Sequence, residues 1–65
     1  MSDEDVIALA KTLREKVLAT NSSVKTKPMN AGHRRLVHLH FENDDLIKTD
    51  SIGSGRHKQV ELSLR

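Results

Sequence analysis

Sixty-five residues without a single cysteine leave this chain one way to fold. It must close around one modest hydrophobic core, with no disulfide or thiolate zinc site to staple it. Apolar residues make up 35% of the sequence, enough for a single core packed from a few elements, so residues 1–65 are read as one domain. The longest apolar run, Val6 to Ala10, falls far short of the roughly 20 residues that cross a bilayer. Met1-Ser2-Asp3-Glu4-Asp5 is acidic where a signal peptide would be basic, and Ser2 stands where a myristoylation signal needs glycine. The expectation is a cytoplasmic, monomeric module with no membrane association.

Hydrophobic periodicity then divides the chain. Val6, Leu9, Ala10, Leu13 and Val17 recur at spacings of three and four, which predicts a helix over 3–20. Ser2 and Asp5 form a short capping box at its start, and Asn21-Ser22-Ser23 ends it. Residues 24–27 alternate as a strand, with Val24 and Thr26 inward and Lys25 and Lys27 on the other face. Pro28 stops the strand, and Asn30 is a good N-cap for a second helix over 31–43. On a helical wheel, His33, Leu36, Val37, His40 and Phe41 share one arc, taken as core-facing. Arg35, His38, Leu39 and Glu42 fall away from it, and Arg34 lies at the boundary, adjacent to His38 one turn later. Strands over 46–52 and 57–64 flank the Gly53-Ser54-Gly55 turn as a hairpin. The order α-β-α-β-β predicts a two-layer α+β domain, a three-stranded sheet with both helices on one face.

Charge is distributed unevenly. The net charge is only +2, but residues 16–41 hold Lys16, Lys25, Lys27, Arg34 and Arg35 with no carboxylate, and His33, His38 and His40 fall in the same stretch. Arg56, His57 and Lys58 add a second basic group in the hairpin. Guanidinium forks match phosphate oxygens, and lysines add point charge. An imidazole one turn from an arginine can donate a further hydrogen bond, and the helix start at Asn30 offers free backbone N–H groups. Lys25, Lys27, Asn30, Arg34, Arg35, His38, Arg56, His57 and Lys58 are therefore the candidate binding residues, and the partner they suit is a polyanion. The bland alternative is a solvated basic face.

Other chemistries lack their residues. His38-x-His40 points to different faces of a helix, and no cysteine or suitably spaced Glu completes a metal site. No nucleophile elbow, zincin motif or phosphate-binding loop is present, and Asp44-Asp45 is explained by solvation of a helix end. Neither catalytic residues nor a cofactor or small-molecule substrate is expected. The lone aromatic, Phe41, lies on the core arc, so base stacking would fall to His38, Arg34 or Arg35. The competing function is a protein-interaction module docking on a larger, possibly acidic partner, with outward Leu39 as the feature that favours it.

Pro28-Met29-Asn30, Arg34-Arg35-Leu36-Val37-His38, Ser51-x-Gly53 and a basic residue before Val60 resemble the R-3-H domain, named for Arg-x-x-x-His. The nearest likeness within it is the C-terminal domain of bacterial Jag proteins, whose typical run is P-M-N-x-x-E-R-R-I-V-H. The resemblance spans nearly the whole chain. It implies binding of single-stranded RNA or DNA, with Arg34 and His38 on a shared exposed surface. His33 stands where the family usually has Glu, His40 replaces a small or apolar residue, and His57-Lys58-Gln59 replaces a pair of arginines. Jag proteins carry a KH domain ahead of this one, absent here, so the expectation is a stand-alone domain.

Overall fold

The structure is a computed structural model that describes residues 1–65. Helix α1 (Asp3–Thr20) opens on the expected capping box: the Ser2 hydroxyl accepts from the Asp5 N–H, and the Asp5 carboxylate accepts from the Ser2 N–H. Asp3, Glu4 and Asp5 sit at the positive end of the helix dipole. The helix ends where Asn21 turns left-handed (φ 56°) and its N–H bonds the Val17 carbonyl. Val6, Ala10 and Val17 are fully buried, and Leu13 and Leu18 pack beside them.

Strand β1 is only Val24–Lys25, shorter than the expected 24–27. The reason is Thr26. Its N–H bonds the Val60 carbonyl at 2.8 Å as a ladder residue should, but its hydroxyl takes the return bond from the Val60 N–H at 3.0 Å. The displaced Thr26 carbonyl accepts instead from the Gln59 amide at 2.6 Å. A side chain thus replaces one rung, and the backbone leaves the sheet toward Pro28 with every buried side-chain polar atom paired.

Helix α2 (Ala31–His40) starts on Asn30, whose side chain accepts from the His33 N–H at 2.8 Å. It stops three residues before the expected end at 43, with the Phe41 N–H shared between the Leu39 and Val37 carbonyls. Asp44, just beyond, is tied back to α1 by a 2.7 Å ion pair with Arg14 and accepts the Leu46 N–H. Solvation of a helix end is therefore not its role. His40, expected on the core side, is exposed, its ring edge-on to Phe41.

Strands β2 (Ile47–Ile52) and β3 (Gln59–Leu64) form the expected antiparallel hairpin, one to two residues shorter at their starts. His57 lies, with Arg56, in a 3-10 turn (Gly55–His57) rather than in the expected strand. Gly53 (φ 93°) admits that turn because a Cβ there would meet the His57 carbonyl oxygen at 2.6 Å. The sheet order is β1-β3-β2. Thr26, Ile47, Val60 and Leu62 are buried on one face, against both helices, as the two-layer reading requires. Phe41 is the largest side chain of that core.

Candidate nucleic-acid interface

Thr49 and Ser51 follow Ile47 at alternate positions, so they share the helix-facing side of β2. An apolar residue would be the simple choice there. Two hydroxyls stand there instead, and His38 reaches down from α2 to both. Its Nδ1 is 2.6 Å from the Thr49 hydroxyl and its Nε2 is 2.8 Å from that of Ser51. A hydroxyl both donates and accepts, so each satisfies whichever role the ring nitrogen leaves open. His38 is consequently half-buried rather than swung out to solvent, with both nitrogens engaged. What it offers a ligand is a ring face and an edge beside Ser51.

Arg34 is held by a different device. Its Nε donates to the Met29 carbonyl at 3.2 Å, which orients the guanidinium and leaves both terminal NH2 groups free. No carboxylate pairs with it, the protein's two ion pairs being Arg14–Asp44 and His33–Asp3. Arg34 lies between two adjoining grooves. One runs along α2 beside β2 and is lined by Arg34, Arg35, His38, Leu39, Glu42 and Ser51, with Ala31 at its end. The other lies at the start of α2 and is lined by Pro28, Met29, Asn30, Ala31, Arg34, Gly55 and Arg56. Arg35 and Arg56 are exposed and unpaired, and Glu42 is the single acid on this surface.

The start of α2 adds polarity of its own. Asn30 caps the His33 N–H, leaving the N–H groups of the first two helical residues for another acceptor, and no acid occupies the first turn. His33, in the position of the family's usual Glu, instead turns toward Asp3 at 3.7 Å.

Not all of the expected constellation meets here. Lys25 pairs in register with Glu61 and points, with it, from the open face of the sheet, away from both helices. Lys27 is exposed and lies near Asp5, whose carboxyl is held below its ordinary value chiefly by the Ser2 N–H and hydroxyl, with smaller help from the N-terminal charge and Lys27. His57 and Lys58 are exposed, and the Lys58 carbonyl is fixed beside α2 by the Met29 N–H. The fold therefore gathers Asn30, Arg34, Arg35, His38 and Arg56, keeps Lys58 nearby and separates Lys25 and Lys27.

Thr49 was not among the sequence candidates, and Ser51 entered only through the family resemblance. The sequence signal for both was available: two hydroxylated residues at inward-facing alternate positions after a buried isoleucine.

RNA-binding protein KhpB of Clostridium symbiosum is 37% identical over 62 residues, which cover 95% of this chain and 28% of that protein. The chain thus spans less than a third of the length of that relative. Residues 4–64, from the first turn of α1 to the last residue of β3, match the R-3-H domain, and the chain belongs to that family.

Proposed function

We propose that this R-3-H domain binds single-stranded nucleic acid, RNA or DNA, chiefly through phosphate contacts, and acts in the cytoplasm as a binding module rather than an enzyme. The observation that carries the reading is the sharing of Arg34 by two grooves that also present Arg35 and Arg56. Three guanidiniums along one path suit successive phosphates of a flexible strand better than one isolated anion. Arg34 takes a phosphate with its free NH2 groups, and Arg56 and the open N–H groups of α2 suit a neighbouring one. Phe41 is 2% exposed and contributes no stacking surface, so any base contact falls to the His38 ring and the Arg35 plane. The relative's RNA-binding name favours RNA as the first ligand to test. No helix is long and apolar enough to cross a membrane.

The test is an NMR titration with short RNA and DNA single strands and the matching duplex, at two salt concentrations. Expected are shifts at residues 30–39 and 54–58, weaker at the higher salt and smaller for duplex. Arg34→Ala and His38→Ala should weaken binding while the spectrum stays dispersed. If both variants bind single strands as tightly as the parent, the assignment is wrong.

A further inference from the structure

Strand β2 has a partner on one side only. The Arg65 N–H bonds the Leu46 carbonyl, so the even-numbered residues of this strand turn their amides toward β3. Ile47, Thr49 and Ser51 turn theirs to the free edge. The side chains of Lys48 and Asp50 lie on the open face, exposed and outside either of the protein's ion pairs. Asp50 sits directly opposite Glu61, a like-charge pairing that disfavours the sheet, and Lys25 stands on the far side of Glu61. The row across the open face therefore reads Lys25, Glu61, Asp50, and then stops at the edge, one cation short.

We propose that a second copy of this chain supplies that cation, by pairing β2 with β2 antiparallel about a two-fold axis at Thr49. In this register the Thr49 and Ser51 amides, which face outward, make the new backbone bonds, the Ser51 N–H of each copy reaching the Ile47 carbonyl of the other, while the Ile47 N–H stays with the Asp44 carboxylate. Lys48 of each copy then falls opposite Asp50 of the other, in the closely spaced non-hydrogen-bonded positions. The row becomes Lys25, Glu61, Asp50 and Lys48 of the second copy, alternating in sign at its new junction. Registers shifted by one residue at each chain bring Asp50 against Asp50 or Lys48 against Lys48, so charge selects one pairing.

The helix above the edge is self-complementary about the same axis. His38 is bonded to Thr49, which places its neighbour Leu39 close to the two-fold. Leu39 is 52% exposed, and Arg35, Leu39 and Glu42 form a stripe on the groove side of α2 at spacings of four and three. The two-fold sets this stripe antiparallel to its copy, with Leu39 against Leu39 and Arg35 beside Glu42 at either end. An isologous interface needs one patch that complements itself, and both layers meet that condition on one axis. The inference does not rest on the nucleic-acid reading and departs from the monomer expected from sequence; because Arg35, Leu39 and Glu42 also line the groove along α2, association and strand binding there compete.

Analytical ultracentrifugation across about a hundredfold range of concentration tests it by mass action. The weight-average mass of the parent should climb from 7.3 kDa toward twice that value. Lys48→Asp should stay at one chain, because the new carboxylate faces Asp50 across the axis, and Leu39→Glu should also weaken association. The double exchange of Lys48→Asp with Asp50→Lys should associate again. Circular dichroism checks that each variant is folded. A parent that stays at one chain throughout, a Lys48→Asp variant that associates like the parent, or a double exchange that does not recover would each overturn the proposal.

Discussion

Salt dependence separates the surface the fold assembles from the one the sequence suggests. Each phosphate contact to a single strand contributes about −0.7 to the slope of log affinity against log salt. Were Lys25, Lys27, Arg34, Arg35, Arg56 and Lys58 all in contact, the slope would be about −4.2. The grooves present Arg34, Arg35 and Arg56, which gives about −2.1, or about −2.8 if Lys58 joins them. Arg34→Ala should reduce the magnitude of the slope by about 0.7. It should also weaken binding by about 1.5–3 kcal/mol, the range for a hydrogen bond to a charged group, which is about 10- to 150-fold. Lys25→Ala should change neither quantity beyond a small long-range term, because Lys25 leaves the sheet on the opposite face beside Glu61. The assay is fluorescence anisotropy with a labelled short RNA strand at a series of monovalent salt concentrations. A parent slope near about −4, or a Lys25→Ala variant that loses as much slope as Arg34→Ala, refutes the partition of charges derived from the two sheet faces.

Three further predictions concern the scaffold. Thr26→Val keeps the side-chain shape but leaves the Val60 N–H without its acceptor, so urea unfolding should show a loss of about 1–3 kcal/mol, with Thr26→Ser far closer to the parent. Gly53→Ala forces a Cβ against the His57 carbonyl at a φ of 93°, so it should lower the melting temperature and move the amide resonances of residues 55–58, whereas the spectrum of α1 should hardly change. The Asp44 carboxyl is held below its ordinary value of 3.8 first by the Arg14 hydrogen bond, then by the N–H groups of Leu46 and Ile47 and the Arg14 charge, against an opposing effect of burial. A lowered folded value means stability that is complete above that ordinary value and is lost as pH falls through the lower folded one. Acid unfolding of Asp44→Asn should accordingly begin from a lower stability at neutral pH and fall less steeply below about pH 4.

Much of this molecule is legible from local rules. The Ser2–Asp5 capping box, the Asn30 cap, the hairpin and the inward face of β3 follow from residue type and spacing, because each is settled within a few residues. The errors share a cause. The helical wheel centred the buried face of α2 on apolar residues, between about 200° and 340° from Arg34. In the structure, Val37 and Phe41 are buried, Arg34 and His38 are half-buried, and His40 at about 240° is exposed. The packed face is therefore rotated toward Arg34 and His38. Hydrophobicity could not show this, because α2 covers the polar Thr49 and Ser51 as well as the apolar β3. The early end of β1 and the role of Asp44 likewise depend on partners 34 and 30 residues away in sequence.

That polar seam also explains how a basic groove can be built beside a packed helix without cancelling its own charge. A carboxylate would be the stronger partner for an imidazole, but it would add a negative charge next to Arg34 and Arg35 and lower the attraction for an anion. Hydroxyls from Thr49 and Ser51 hold the ring by geometry and contribute no net charge. They also accept from both nitrogens when the ring is protonated and adapt when it is neutral, so the position of His38 does not depend on its charge. The Met29 carbonyl does the same for Arg34, using only Nε and leaving the terminal nitrogens unbonded. Where this protein does pair carboxylates with basic side chains, Asp44 with Arg14 and Asp3 with His33, neither pair lines a groove. Neutral acceptors position Arg34 and His38 while Asp44 and Asp3 serve the scaffold, and that division lets so small a core carry a positive surface.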